Sequence, residues 1–530
     1  MVILDLRPLP ILEISMKVYS PVDLRQVGEV EETRPEDVEG IVQSCRDSQK
    51  VWVSIPNEQR AECLQRLTRQ VAERSEEIAY TVHLETGKPR LEGLNTEVMA
   101  SAASCQHAAL WRKRFRDDRK VNQGRMGTML RYLGRRSIVN YRPLGVIGVI
   151  SPFNFPFSIP FTQTVTAVAA GNGVVLKPSS ETPLTGMLIS QLFQDAGFPE
   201  GLVSVVCGPG TGDALARSSV DKVVFTGSGE VGRKVMRSAS DRLTPSIMEL
   251  GGKDAMIVLR DADLDRASSA AAWGAFVNSG QVCVGIKRIY VQDDVMDDFL
   301  DMLVRKTKEL KQGDGWQDAD VSLGPMINEK AVKEMERQVH RALEQGGRIL
   351  LGGNRNPDLP GHFFLPTIVT GLSQDADLIK EETFGPIVAI LPFREEEEAL
   401  KLANESPFAL SGSIWTQDLR EGRRLASLMR SGTVMVNNAI YTYGLPATPW
   451  GGRGESGFGR THGEWGFLEM METHHIHLDA GKMPRDFWWF PYDEEKGRSQ
   501  MFFMRLFFLK DRKGLFKGLM DMRSIMKRRS

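Results

Sequence analysis

Val146-Ile-Gly-Val-Ile150 is an apolar run closed by Ser151-Pro152, and the segments after it decide the fold. A run this short, bounded by turn residues, reads as a strand buried on both faces. A helix is expected over 160–170, a strand over 173–177 (Gly-Val-Val-Leu-Lys) and a helix over 185–196. Strands over 203–207 and 222–226 and a helix over 230–239 follow. Strands alternating with crossover helices imply a parallel sheet with helices on both faces, so the class is α/β. A second α/β series begins near Ala255 and runs to Asn437. Upstream, residues 34–120 read as amphipathic helices; within 57–83, Ala61, Leu64, Leu67, Val71 and Ile78 recur at helical spacing. Residues 125–141 read as a β-rich ribbon, with Met129, Tyr132 and Ile138 among polar partners.

The 530 residues, 41% hydrophobic and 25% charged, suffice for two or three domains with sizeable cores. A net charge of −1 gives the whole chain no general attraction for nucleic acid. That balance hides an asymmetry: residues 496–530 hold eleven Lys/Arg against two Asp, a local +9 that leaves about −10 for the rest. The five cysteines are scattered, odd in number and never paired as CxxC. A reducing compartment is the simpler reading, and a disulfide framework or zinc site is not expected. The N-terminus carries no cleavable signal pattern, and Met16 is an alternative start to Met1. No run reaches the ~18 apolar residues of a spanning helix. A cytoplasmic protein is expected, at most peripheral on a membrane.

Two segments carry chemistry. In Phe225-Thr-Gly227-Ser228-Gly229-Glu-Val-Gly232 a strand meets a tight turn and a helix start, where backbone N–H groups can face a phosphate. The spacing also matches GxGxxG, although a plain structural turn would look the same. Further on, Cys283 closes Asn278-Ser-Gly-Gln-Val-Cys283, 34 residues after Glu249. A cysteine in such small, flexible company is a candidate nucleophile, whereas a lone cysteine is more often an inert buried hydrophobe.

Taken together, the motifs tip the balance. Pro143-Leu-Gly-Val-Ile-Gly-Val-Ile-Ser-Pro-Phe-Asn154-Phe155-Pro156 resembles the aldehyde dehydrogenase superfamily, as do Leu176-Lys177-Pro-Ser179 and Phe225-Thr-Gly227-Ser228. Glu249-Leu-Gly-Gly-Lys253, Gly280-Gln-Val-Cys283, Glu381-Glu382-Thr-Phe384-Gly-Pro386 and Pro449-Trp450-Gly-Gly452 complete the series in order, over roughly residues 18–480. The resemblance implies a Rossmann-like cofactor domain (17–124 and 142–251) interlocked with a catalytic α/β domain (252–466). A β oligomerisation arm (125–141 and 467–480) and a basic-apolar extension (481–530) would complete the chain, as a homodimer or homotetramer. It further implies that Cys283 attacks an aldehyde carbon, that Asn154 and the Cys283 N–H hold the oxyanion, and that hydride loss to NAD or NADP leaves a thioester. Glu249 would be general base for the water that hydrolyses it. Lys177, Ser180, Gly227, Ser228, Glu382 and Phe384 would bind the cofactor, and Phe155 and Trp450 would line the substrate funnel, suggesting an apolar aldehyde, long-chain or aromatic.

Two departures stand out. Ser180 occupies a position where NAD-preferring members often carry Glu, so either NAD or NADP is admissible. The family's phosphate turn usually lacks a glycine at the Gly229 position, which makes the GxGxxG match coincidental. His474-His475-x-His477 resembles a metal cluster, but lies where the family places a subunit-contact strand, and no metal is expected. In the tail, Leu515, Phe516, Leu519, Met522 and Met526 share one helical face, with Lys513, Lys517, Ser524 and Lys527 mostly away from it. That pattern suits an anionic membrane surface, or a cap on a partner subunit's funnel. The alternatives left open are a CoA-acylating relative and a catalytically silent membrane-associated binding protein.

Overall fold

The computed structural model describes residues 15–115, 117–122, 124–482, 486, 488–490, 492–509 and 520. The chain divides into two compact units, Met1–Arg112 with Pro143–Met471, and Lys113–Arg142 with Glu472–Ser530.

The larger unit holds two sheets. The first has six strands in the order Gly457–Phe458, Ser246–Glu249, Lys222–Thr226, Val146–Ile150, Gly173–Lys177, Val203–Val205. All its pairs are parallel except the edge pair Gly457–Phe458 with Ser246–Glu249. The second has seven strands in the order Arg348–Leu351, Thr367–Thr370, Ile387–Phe393, Ile286–Gln292, Asp254–Val258, Ser411–Trp415, Thr433–Val436, again parallel but for one edge pair. The inner strands are buried at nearly every position, because crossover helices cover both faces and no side chain alternates outward. Helices start where sequence supplies a side-chain acceptor: Ser228, Asp263, Asn328 and Asp418 each accept from a backbone N–H of the first turn, worth ~1 kcal/mol apiece. Leu250–Lys253 carries the chain from the first sheet to the second, running from Glu249 at the end of a first-sheet strand to Asp254 at the start of a second-sheet strand. That junction positions the site.

Two local expectations are corrected. The helical stretch expected over 57–83 is broken at Arg74 into Asn57–Glu73 and Ser75–Thr86. Residues expected as ribbon from 125 form a helix, Gly124–Tyr132, and the strand begins only at Arg135. Met126, Met129, Leu130 and Leu133 recur at three- and four-residue spacing, a helical period that outweighs the scattered β-formers.

The smaller unit carries a three-stranded sheet in the order Met471–Asp479, Arg135–Pro143, Arg119–Lys120. Arg135 is paired with Asp479 and Asp486. His477 Nδ1 lies 3.0 Å from Ser137 Oγ, and His474 Nδ1 lies 3.2 Å from Asn140 Oδ1, so both histidines are engaged by the neighbouring strand. Among the described residues no group of three His, Cys, Asp or Glu could hold a metal ion. The helix Glu494–Phe508, capped by Asp493, leaves Met501, Met504 and Phe508 exposed. Lys513, Leu515, Phe516, Lys517, Leu519, Met522, Ser524, Met526 and Lys527 of the tail lie outside the described residues. No described helix is long and apolar enough to cross a membrane.

Candidate active site

Cys283 is partly buried, whereas the other four cysteines are fully so. It ends a loop under backbone strain: Asn278 and Ser279 have φ of 53° and 51°, and Gly280 follows at 69°. Left-handed non-glycine residues cost ~1–3 kcal/mol each and persist only where their surroundings over-determine them. Here they do. Asn278 Nδ2 donates to Asn154 O at 2.9 Å, Ser279 Oγ to Gly324 O at 2.5 Å, and Gln281 Oε1 accepts from the Ile327 N–H at 2.9 Å. The buried Lys287 Nζ donates to Gly280 O at 2.8 Å and to Gly385 O at 2.7 Å, tying this loop to the one that carries Glu382. A Cβ on Gly280 would stand 2.2 Å from Gly385 O, so the contact requires glycine.

Asn154 is held by charge. Lys88 Nζ, fully buried, donates to Asn154 O at 2.9 Å and to Glu97 Oε1 at 2.5 Å, and lies 4.1 Å from the centre of the Phe155 ring. Glu97 also accepts from the Phe157 and Ser158 N–H groups at 3.2 and 2.7 Å, at the start of the helix Ser158–Ala169, where the helix dipole favours an anion. Asn154 Nδ2 donates to Gln281 O at 2.9 Å, two residues before the cysteine.

Glu249 is buried at the sheet junction, and its Oε1 has no hydrogen-bond partner among the described residues. Burial pushes its carboxyl up to about 8; the Arg460 charge and a hydrogen bond from Trp450 pull the other way. Burial likewise pushes the Cys283 thiol up, reinforced by the Glu249, Asp254 and Glu382 carboxylates, and the Val284 N–H is the one group that favours thiolate.

Two cavities reach Cys283. One, of about 490 Å³, opens at the C-terminal ends of the first sheet's strands, where open parallel sheets take their ligands. Asn154, Glu249, Lys177, Ser180, Gly227, Ser228, Glu382 and Phe384 all line it, so the eight residues expected around a cofactor and its chemistry are brought together. Ser228 caps the helix Gly229–Ser240 with that helix's N-terminus at the cleft, and the backbone at Gly251 lies close against the Glu382 carboxylate. At Gly229 the nearest atom to an added Cβ is the Arg233 side chain at 3.4 Å, so space does not demand glycine there.

The second cavity, of about 340 Å³, is lined by Met99, Ala103, Phe155, Ile159, Trp273 and Val277 among others, and among the described residues no Asp, Glu, Lys, Arg or His lines it. Phe155 is part of this lining. Trp450 is not: it is 2% exposed, inside the second sheet's core cluster, and Tyr443 stands between it and the cavity with rings 5.2 Å apart. The turn Tyr441–Gly444 delivers Tyr443 to the wall, so Trp450 acts one layer behind, on Glu249. Lys88, Glu97, Lys287, Trp273 and Tyr443 went unread in the sequence. Each acts across a tertiary contact, and no spacing in the chain announces it.

The aldehyde dehydrogenase family model matches residues 13–476. The chain belongs to the aldehyde dehydrogenase family. It is an NAD(P)-dependent α/β oxidoreductase of that family. Among its relatives, a putative succinate-semialdehyde dehydrogenase [NADP(+)] 2 of Mycobacterium ulcerans is 36% identical over 83% of this chain and 84% of that one. The 4,4'-diapolycopene aldehyde oxidase of Methylomonas sp. is 35% identical over 90% of this chain and 88% of that one. Among solved structures, the NAD-dependent aldehyde dehydrogenase from Sinorhizobium meliloti superposes with a TM-score of 0.85 at 31% identity, covering 90% of this chain and 93% of that one. An NAD+ complex of the Bacillus cereus aldehyde dehydrogenase gives 0.84 at 30% identity, covering 88% and 94%.

Proposed function

We propose that this dehydrogenase oxidises an apolar aldehyde, long-chain or aromatic, to the carboxylic acid. The observation that carries this reading is the uncharged lining of the cavity that reaches Cys283. Succinate semialdehyde bears a carboxylate at its far end, and diapolycopene aldehyde does not. A carboxylate drawn into that cavity would lose its hydration without a cation to pair with, at several kcal/mol.

In the proposed cycle Cys283 Sγ bonds to the aldehyde carbon and its proton passes to Glu249, which lines the same cleft. One amide hydrogen of Asn154 is committed to Gln281 O, which orients the group and leaves the second for the developing oxyanion, together with the Cys283 N–H. Such preorganised donors contribute ~3–4 kcal/mol to the transition state. Lys177, Ser180, Gly227, Ser228, Glu382 and Phe384 would hold NAD(P), which when bound accepts the two electrons of the oxidation. Glu249 releases the cysteine's proton to solvent through the open cleft, and as a carboxylate then takes a proton from the water that cleaves the Cys283 thioester, freeing the acid and the Cys283 thiolate. Thiolysis by CoA needs no base for water, so a buried carboxyl in the cysteine's own cleft favours hydrolysis. A silent binding protein would have no use for the three groups so assembled.

We read residues 17–124 with 142–251 as the cofactor half, 252–466 as the catalytic half, and 125–141 with 467–480 as the arm of a homodimer or homotetramer. The exposed Met501, Met504 and Phe508, within the +9 segment of residues 496–530, suit an anionic membrane surface. The test of substrate class is NAD(P)H formation with hexanal, benzaldehyde, hexadecanal and succinate semialdehyde. The apolar aldehydes should show KM values at least tenfold below that of succinate semialdehyde; the reverse order overturns the reading.

A further inference from the structure

A third cavity, of about 480 Å³, adjoins the inner one, and Asn95, Thr96, Trp273 and Val277 line both. The shared wall is made of two helical faces. On the first, Glu92, Asn95, Thr96, Met99 and Ala103 recur at three- and four-residue spacing along the continuous helical run from Arg90 to Arg114. Eleven residues of helix separate Glu92 from Ala103, ~16 Å at ~1.5 Å per residue. The run takes π-helical form over Leu94–Met99, where both cavities meet it, a distortion that often marks functional sites. On the second, Ser269, Ala272, Trp273 and Phe276 repeat at the same spacing on the helix Leu264–Phe276. Trp273, 45% exposed, stands where the two cavities join.

The outer cavity differs in chemistry. Glu92, Asn95, Thr96, Ser269 and Ser322 line it beside apolar groups. Glu92 Oε2 accepts from the Asn278 N–H at 3.3 Å, while its Oε1 is buried without a partner among the described residues. Burial pushes this carboxyl up to about 7. The cation in the lining, Lys306, is already engaged by Asp265 Oδ1 at 2.8 Å and Ser269 Oγ at 2.5 Å. The outer cavity therefore offers hydrogen bonds and no unpaired positive charge.

We propose that the two cavities are one groove, and that the outer one binds the far end of a long aldehyde carrying an uncharged oxygen there, a hydroxyl or a second carbonyl, which Glu92 hydrogen-bonds. This rests on the apolar-aldehyde reading above and extends it to the shape of the substrate. Trp273 then sets the passage between a chain that ends in the inner cavity and one that continues.

The test is steady-state kinetics with hexanal, hexadecanal and 16-hydroxyhexadecanal. In the wild type the terminal hydroxyl should lower KM about tenfold relative to hexadecanal, and Glu92→Leu should bring that ratio to about one. A purely structural role of Glu92 on the cysteine loop would move both substrates alike and leave the ratio intact. Ala319→Trp and Ser322→Trp, two independent fillings from the exposed rim of the outer cavity, should raise KM for both 16-carbon substrates at least tenfold more than for hexanal. Equal effects on short and long aldehydes, or a hydroxyl ratio insensitive to Glu92, would overturn this inference alone. No turnover of any aldehyde by an enzyme that still binds NAD(P) would overturn the apolar-aldehyde reading, and this inference with it.

Discussion

The cleft and the inner cavity both end at Cys283, yet they are built from different parts and for different demands. The cleft lies at strand ends, with glycines, a helix N-terminus and buried ionisable groups, because parallel strands bring backbone N–H groups and carboxylates to one edge. The cavity lies between helical faces and carries no charge. Strand ends are positioned by a ladder of backbone bonds and tolerate little change, whereas a helical face alters with each side chain. Under the proposed function the chemistry would belong to the sheets, and the choice of aldehyde to the helices.

The largest effect should come from removing what the two regions share. Cys283→Ala should lower turnover by a factor on the order of 10⁴ or more, while NAD(P) affinity measured by fluorescence stays within a few-fold, since the cleft keeps its other walls. Retained dehydrogenase activity would break the proposed division.

Glu249→Gln should slow thioester hydrolysis by ~10²–10⁴ and give a burst of NAD(P)H followed by a slow steady state. Because burial raises this carboxyl to about 8, the active carboxylate is the minority form below that pH, so the wild-type hydrolysis rate should rise with pH and level off above about 8. Trp450→Phe removes a hydrogen bond that favours the carboxylate, so the inflection should move to higher pH. The sign for stability runs the opposite way to activity. Between the ordinary 4.5 and about 8 the folded chain holds a proton the unfolded chain has released, so Glu249 costs stability progressively as pH rises through that window. Urea melts at pH 6 and 8.5 should show Glu249→Gln gaining on the wild type at the higher pH.

The smallest effect concerns the cleft's rim. Ser180 is exposed there and carries no charge to repel a 2′-phosphate, so the wild type should use both NAD and NADP. Ser180→Glu should shift the NAD/NADP ratio of kcat/KM toward NAD by about tenfold, ~1.4 kcal/mol. An unchanged ratio would show that the rim takes no part in the discrimination.

The parallel order of the first sheet was legible because Val146–Ile150, Gly173–Lys177 and Lys222–Thr226 are short, apolar and separated by helical stretches, a local pattern that survives folding unchanged. That Cys283, Glu249 and Asn154 line one cleft was legible through motifs, since glycine and polar turn residues around them record backbone demands that only those types meet. The ribbon at 125–141 was misread where Gly124–Tyr132 is helical, because Met129 and Tyr132 suit either period over so short a stretch.

What the sequence determined by itself is the α/β series and the reaction class, both carried by neighbours along the chain. The tertiary structure alone decided the rest. It set Lys88 and Glu97 under Asn154, clamped Lys287 between Gly280 and Gly385, put Tyr443 in front of Trp450, and left the inner cavity without charge. Lys88 meets Asn154 across 66 residues and Lys287 meets Gly385 across 98, while Tyr443 and Trp450, close in sequence, meet through the fold of the turn between them. Packing selects those meetings, and no local periodicity encodes them.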